Sequence, residues 1–303
     1  MGIHVVHQSP QVISYKTTYC SKATLFNILT LIVTVITPLL VVYRSQGLWV
    51  KETEWREQAD IRFKHQVLFI ADTSLGPLVW STNSAFNTLM AAHLRPPLVK
   101  SHEADGNHDG VKERLEFTLE LPLKSTELVY GATLLLTFDY RLHHMCEIIL
   151  EGLGHVRYSG GIPVSGVSVW GDLTLHQRHP LPHTPSFTLY NTPILPTASS
   201  SPTDWRLDTI FSQYFQRNYT TRLDNTYTSV RTGESDIFTL TIHVTYPEQR
   251  VTSLPGFWLT IKWAWVQYLS VLLVLIYVTS FVKDWAYRSQ LVPTWVDSPQ
   301  KLH

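Results

Sequence analysis

Cysteine is nearly absent from this chain, and so is any imbalance of charge. Only Cys20 and Cys146 occur in 303 residues, so a disulfide framework is excluded and any folded domain must be held by its core. Lysine plus arginine number 24, against 24 for aspartate plus glutamate. No block of like charge stands out, and the electrostatic footprint of a nucleic-acid binder is missing. Repeats and heptads are absent. A glycine-rich phosphate loop, a GxSxG elbow and an HExxH helix are absent as well, which points away from an enzyme.

Charge is missing in a more informative way from two stretches. Ala23 to Tyr43 and Trp263 to Val282 contain no Asp, Glu, Lys or Arg, and each is bounded by Lys or Arg on both sides. At 1.5 Å per residue each makes a helix of roughly 30 Å, the thickness of a bilayer's hydrocarbon core. Trp258, Trp263 and Trp265 at one end of the second stretch, with Trp285 and Tyr287 at the other, form aromatic belts. The sequence therefore predicts a two-pass α-helical membrane protein. Its segments are an N-terminal tail (1–22), a first crossing (23–43), a long domain (44–262), a second crossing (263–282) and a C-terminal tail (283–303). No small-residue cleavage site follows the first apolar run, which reads as an uncleaved anchor. Val6 stands where a myristoylation motif requires Ser or Thr.

Asn218-Tyr219-Thr220 is the chain's N-glycosylation sequon. With the basic, acid-free stretch before the first helix, it places both tails in the cytosol and the long domain outside it. Cys20 and Cys146 then stand on opposite sides of the membrane and cannot pair. Cys20, next to the first crossing, is a candidate palmitoylation site.

Within the long domain, alternation dominates. Leu115 to Leu121 alternates cleanly, and strands are also predicted over Arg62 to Ile70, Thr133 to Tyr140, Glu147 to Leu150, Val167 to Trp170, Asp172 to Leu175 and Ile237 to Tyr246. Gly76-Pro77, Asp109-Gly110, Gly160-Gly161 and Gly171-Asp172 read as turns. One helix is expected from Asp204 to Arg217, with Thr203 as N-cap. Pro180 to Pro202 reads as an irregular excursion. The fold class is a mainly-β, β-sandwich-like extracytoplasmic domain carrying one helix.

Three constellations could carry chemistry. Asp105, Asn107 and Asp109, with Gly110, the Val111 carbonyl and Glu116, match the spacing of a calcium loop, although Pro96-Pro97 stands where an EF-hand's entering helix should be. A solvated hairpin loop is the competing reading. His176, His179, His183 and His143-His144 lack the spacing of a zinc site. In the crossings, Asn27, Thr30, Thr34 and Thr37 share one stripe, and Gln267, Ser270 and Tyr277 make another. In lipid such side chains favour facing a second helix or a partner protein. Antiparallel pairing would set Asn27 near Tyr277 and Ser280, and Gln267 near Thr34 and Thr37. Back-bonding of each hydroxyl to its own helix is the alternative.

Several blocks occur together in one order. They are Cys20-Ser21-Lys22-Ala23, Pro38-Leu39-Leu40 and Arg44-Ser45-Gln46-Gly47-Leu48-Trp49. Next come Arg62-Phe63-Lys64-His65-Gln66-Val67, Trp80-Ser81-Thr82 with Phe86-Asn87, and Leu121-Pro122-Leu123-Lys124-Ser125-Thr126-Glu127. Tyr140-Arg141-Leu142-His143, Gln216-Arg217-Asn218-Tyr219-Thr220-Thr221, Pro255-Gly256-Phe257-Trp258 and Ala264-Trp265-Val266-Gln267-Tyr268 complete the set. From about Tyr15 to the end of the second crossing the chain resembles the transmembrane protein 231 family. The resemblance implies a structural component of the tectonic-like (Meckel syndrome) complex at the ciliary transition zone. It also implies roles in the diffusion barrier between ciliary and plasma membranes, in cilium assembly and in Hedgehog signalling. The implied partners are other transition-zone proteins and the lipid bilayer, with no nucleic acid and no cofactor beyond the candidate calcium. The residues alone leave open a different class: an extracytoplasmic β-sandwich that recognises a glycan or secreted ligand, with calcium assisting.

Overall fold

The computed structural model describes residues 14–19, 21–45, 47–144, 147–197 and 201–297. Cys20 and Cys146, and with them the palmitoylation and pairing expectations, lie outside the described residues. Two compact units form: residues 1–51 with 255–303, and residues 52–254.

The first unit is built on the two apolar stretches. Helix α1 (Lys22–Arg44) starts at Ser21, whose hydroxyl accepts the Thr24 N–H, and buries Ala23, Thr34, Pro38 and Val42 on one stripe. Helix α4 (Phe257–Arg288) runs 32 residues, about 48 Å at helical rise. It exceeds the expected 263–282 at both ends, because the first charges beyond each end, Lys262 and Lys283, are strong helix formers and do not stop it. Two apolar helices of this length make the chain a two-pass membrane protein. They run antiparallel, with Phe26 against Tyr287 near one end and Thr34 against Thr279 farther along. Short strands β1 (Ser14–Lys16) and β14 (Trp295–Asp297) pair beyond the helix ends.

The second unit is a sandwich of two five-stranded sheets. One has the order β10-β8-β7-β3-β4, from β3 (Asp60–Thr73), β4 (Gly76–Ser81), β7 (Val129–Leu142), β8 (Glu147–Ser159) and β10 (Ser186–Phe187). The other has the order β11-β9-β12-β6-β5, from β5 (Leu98–Ala104), β6 (Arg114–Pro122), β9 (Val164–Gln177), β11 (Tyr219–Thr232) and β12 (Ile237–Thr245). A ribbon of β2 (Thr53–Glu57) and β13 (Gln249–Ser253) joins the unit's two ends. Alternation explains the second sheet: Leu115, Phe117, Leu119 and Leu121 face inward, as do Phe238, Leu240, Ile242 and Val244. Strand β7 is buried on both faces. Its outer face meets a second core in which Leu135 and Leu153 pack with Phe86, Trp205, Ile210 and Tyr214.

That second core changes the expected helix content. Besides α3 (Leu207–Phe215) there is a short α2 (Ser84–Leu89), capped by Asn83. Helix α3 has Arg206 rather than Thr203 at its N-cap position and ends at Phe215, because Trp205 turns into the core and the Thr203 carbonyl takes the Arg206 N–H in a preceding turn. Gly171-Asp172 is no turn, and β9 runs straight through it. Strands β5 and β11 and the β2–β13 ribbon fall outside the strands expected from sequence.

Candidate functional site

The helix pair buries Thr34 of the expected α1 stripe, while of the expected α4 stripe Gln267 meets Gly47 in the segment that follows α1. Thr34 is buried; its hydroxyl donates to the Thr30 carbonyl at 2.7 Å and stands 3.2 Å from the Thr279 hydroxyl, which donates to the Leu275 carbonyl. Thr30 donates to the Asn27 carbonyl, Ser270 to Gln267 and Ser280 to Tyr277. Back-bonding thus satisfies most of these hydroxyls within their own helix. Thr37 flanks the buried stripe of α1, while Asn27 is exposed. On α4, Gln267 lies so close to Gly47 that a Cβ there would stand 3.3 Å from its side-chain oxygen, and the Tyr268 hydroxyl donates to the Val35 carbonyl. Ser270 and Tyr277 point away from α1, Tyr277 being 75 % exposed. The expected apposition of Gln267 with Thr34 and Thr37 is therefore replaced by Gly47, and Thr34 meets Thr279, a residue outside both predicted stripes. A 100° step puts Thr279 in line with Leu272, Leu275 and Ala286; reading that apolar stripe together with its hydroxyl would have found it.

The Asp105–Glu116 segment comprises the β5–β6 hairpin loop, residues 105–113, and the start of β6. Asp105 accepts the Gly110 N–H, Asp109 accepts the Val111 N–H, and Asn107 accepts the Asp109 N–H. Glu113, which the calcium spacing passes over, accepts the Gly106 N–H. Glu116 is on β6, on the outer face of the sheet, with one oxygen 3.8 Å from His243 Nδ1. A cation would have to compete with loop N–H groups for Asp105 and Asp109. Among the described residues no group of three or more His, Cys, Asp or Glu is placed to hold a metal. His176 pairs with Thr220 in the sheet, whereas His143 and His144 donate backbone N–H bonds to Glu57.

Asn218 lies exposed between α3 and β11, and its sequon partner Thr220 is 1 % exposed. A glycosylating enzyme needs that hydroxyl, so attachment would have to precede folding of β11. The turn is fixed by Arg217, whose guanidinium donates to the Glu151, Tyr190 and Thr192 carbonyls. Burial holds the Arg217 pKa below the usual guanidinium value.

One surface escaped the sequence reading. Tyr227, Trp170, His243, Glu116 and His102 are successive partners across all five strands of the β11-β9-β12-β6-β5 sheet. They share the outer face. Trp170 stacks on His243 at 5.3 Å with planes 10° apart, over a recess of about 230 Å³. The signal was available: in Val167-Ser168-Val169-Trp170 and Ile242-His243-Val244, the Trp and His fall on the outward phase.

The family model described as Transmembrane protein 231 matches residues 1–296. A relative of that name from Xenopus tropicalis is 39 % identical over 298 residues, covering 97 % of this chain and 96 % of that protein. The Homo sapiens relative is 40 % identical over 301 residues, covering 97 % and 95 %. Among solved structures, a proton-activated chloride channel overlays with a TM-score of 0.27 and 6 % identity across 87 % of this chain and 99 % of that one, too weak a likeness to imply a shared fold. Both helices and the sandwich fall within the span that matches, and the chain belongs to the transmembrane protein 231 family.

Proposed function

We propose that this chain is a structural transmembrane component of the tectonic-like complex at the ciliary transition zone. There it contributes to the diffusion barrier between ciliary and plasma membranes, to cilium assembly and to Hedgehog signalling. The observation that carries this reading is family membership along nearly the whole length, both helices included. The architecture suits it: a membrane anchor with two crossings, and a β unit whose outer sheet face is free for other transition-zone proteins. Both termini are cytosolic in this reading, and the β unit with Asn218 is extracytoplasmic. No catalytic step is required. A tagged copy in ciliated cells should concentrate at the ciliary base; a signal confined to the endoplasmic reticulum overturns the reading.

A second reading, an extracytoplasmic module recognising a glycan or secreted ligand, rests on the exposed neighbours Tyr227 and Trp170. Binding of the full chain to a glycan array, lost in Trp170→Ala, would favour it. Calcium at the 105–116 loop belongs to that reading, and titration to millimolar calcium with no heat removes it.

A further inference from the structure

Past the last turn of α1 the chain folds back against α4. Ser45 closes the helix end, its N–H donating to the Val41 carbonyl and its hydroxyl to the Val42 carbonyl. Gly47 then lies against Gln267, where a Cβ would stand 3.3 Å from the amide oxygen. The bend leaves a cavity of about 410 Å³ lined by Tyr43, Arg44, Leu48, Trp49 and Lys51.

That wall holds two cations and no carboxylate. Arg44 and Lys51 are both exposed, and neither side chain has a hydrogen bond or an ion pair among the described residues. Glu52, the first acid after them, is not among the lining residues. Arg288, at the opposite end of the helix pair, is paired with Asp284. The α1 dipole puts partial negative charge at the Arg44 end, so attraction for an anion must come from the two side chains and not from the helix.

Depth supplies the missing partner. Thr34 is level with Thr279, and Phe26 with Tyr287. Ten residues on from Thr34, Arg44 is therefore level with Leu269, six residues inside the uncharged stretch that opens at Trp263. Six residues are about 9 Å at helical rise. The Trp263 and Trp265 belt, which marks the interface, thus lies farther from the bilayer centre than the Arg44 backbone. A guanidinium left unpaired at that depth is costly. Phospholipid phosphates are the anions a bilayer presents there, and the guanidinium fork matches their oxygens. Two cations exceed the charge of one phosphodiester, and a zwitterionic headgroup would bring its own ammonium into the same wall. We propose that this cavity binds an anionic phospholipid, with Arg44 and Lys51 holding its phosphate and Tyr43 and Trp49 flanking the headgroup. The inference rests on the two crossings and not on the ciliary reading, so failure of either leaves the other standing.

The test uses the full-length chain in nanodiscs of phosphatidylcholine, alone, mixed with phosphatidylglycerol, or with inorganic phosphate in solution. Adducts retained on the ejected protein are read by native mass spectrometry. Phosphatidylglycerol should be retained roughly tenfold over phosphatidylcholine at equal abundance, and Arg44→Gln and Lys51→Gln should each remove most of that preference, as loss of a charged hydrogen bond predicts. Arg44→Lys, which keeps the charge and loses the fork, should keep part of it. Neither glutamine variant should lower the melting temperature, since both side chains are exposed and unpaired, so the loss is read on folded protein. Lys283→Gln, a cation at the far end of α4, should leave the preference intact. Equal retention of the two lipids overturns the proposal, as does a loss in Lys283→Gln as large as in Arg44→Gln, or a phosphate adduct in place of the lipid.

Discussion

Tyr214 shows how a single hydroxyl ties three elements of the β unit together. From α3 its oxygen accepts the Thr221 N–H of β11 at 2.7 Å and stands 3.3 Å from the Leu153 N–H of β8, which Thr221 Oγ1 also accepts at 2.7 Å. Burial raises the phenol's pKa, so it stays neutral and available in this role. Room for the cluster comes from Gly152, where a Cβ would stand 2.8 Å from Thr221 Oγ1. Tyr214→Phe leaves the buried Thr221 N–H without an acceptor and should destabilise the β unit by about 1–3 kcal/mol, read from the denaturation midpoint. Tyr190→Phe is the control. Its hydroxyl accepts the Asn218 N–H at an exposed position, where water can substitute, and the change should cost well under about 1 kcal/mol.

At the scale of elements, each helix of the pair has one face with a known use. The Thr34 and Thr279 hydroxyls are already committed to their own helices, so the contact between them is weak and the helices are held by packing along the stripe. In a full chain with Cys20 and Cys146 replaced by serine, cysteines at 34 and 279 should form a disulfide under mild oxidation. Cysteines at 34 and 277 should remain free, because Tyr277 faces away from α1. Equal crosslinking of both pairs in a mass measurement would sink this packing. The same elements show what sequence can carry. Leu115 to Leu121 was legible because β6 lies inside its sheet and each inward side chain meets the other sheet. Strand β11 was not: it is an edge strand, and a bulge at Asp224–Tyr227, with Asn225 at φ 52°, breaks its period. Gly171 misled for a related reason. It is needed for the approach of Thr226 Cγ2 and the Asp224 carbonyl, both within 3.3 Å of a Cβ built there, and not for a turn. The 105–116 spacing fits a calcium loop and a solvated hairpin alike, and spacing alone cannot say that Asp105 and Asp109 accept backbone N–H groups of the loop.

For the whole molecule, the decisive feature is where the β unit begins and ends. Thr53 pairs with Ser253, so the two connections to the helical unit leave from adjacent strands. The ribbon is not loose. Gln177 exchanges two hydrogen bonds with the Thr252 backbone, and Val251 is fully buried in the main core. All core residues of the sandwich come from within residues 52–254, and a unit with one cysteine, Cys146, has no internal disulfide to lose. Residues 52–254 expressed alone should therefore fold, giving a β-type circular dichroism spectrum and a cooperative melt. Its midpoint should lie within about 4 °C of the same transition in the full chain, the shift that roughly 1 kcal/mol produces in a domain of this size. A shorter fragment, 60–246, lacks the ribbon and the buried Val251 and should melt lower still. If 52–254 aggregates or melts without cooperativity while the full chain melts sharply, the β unit depends on its membrane helices for folding, and its autonomy is refuted.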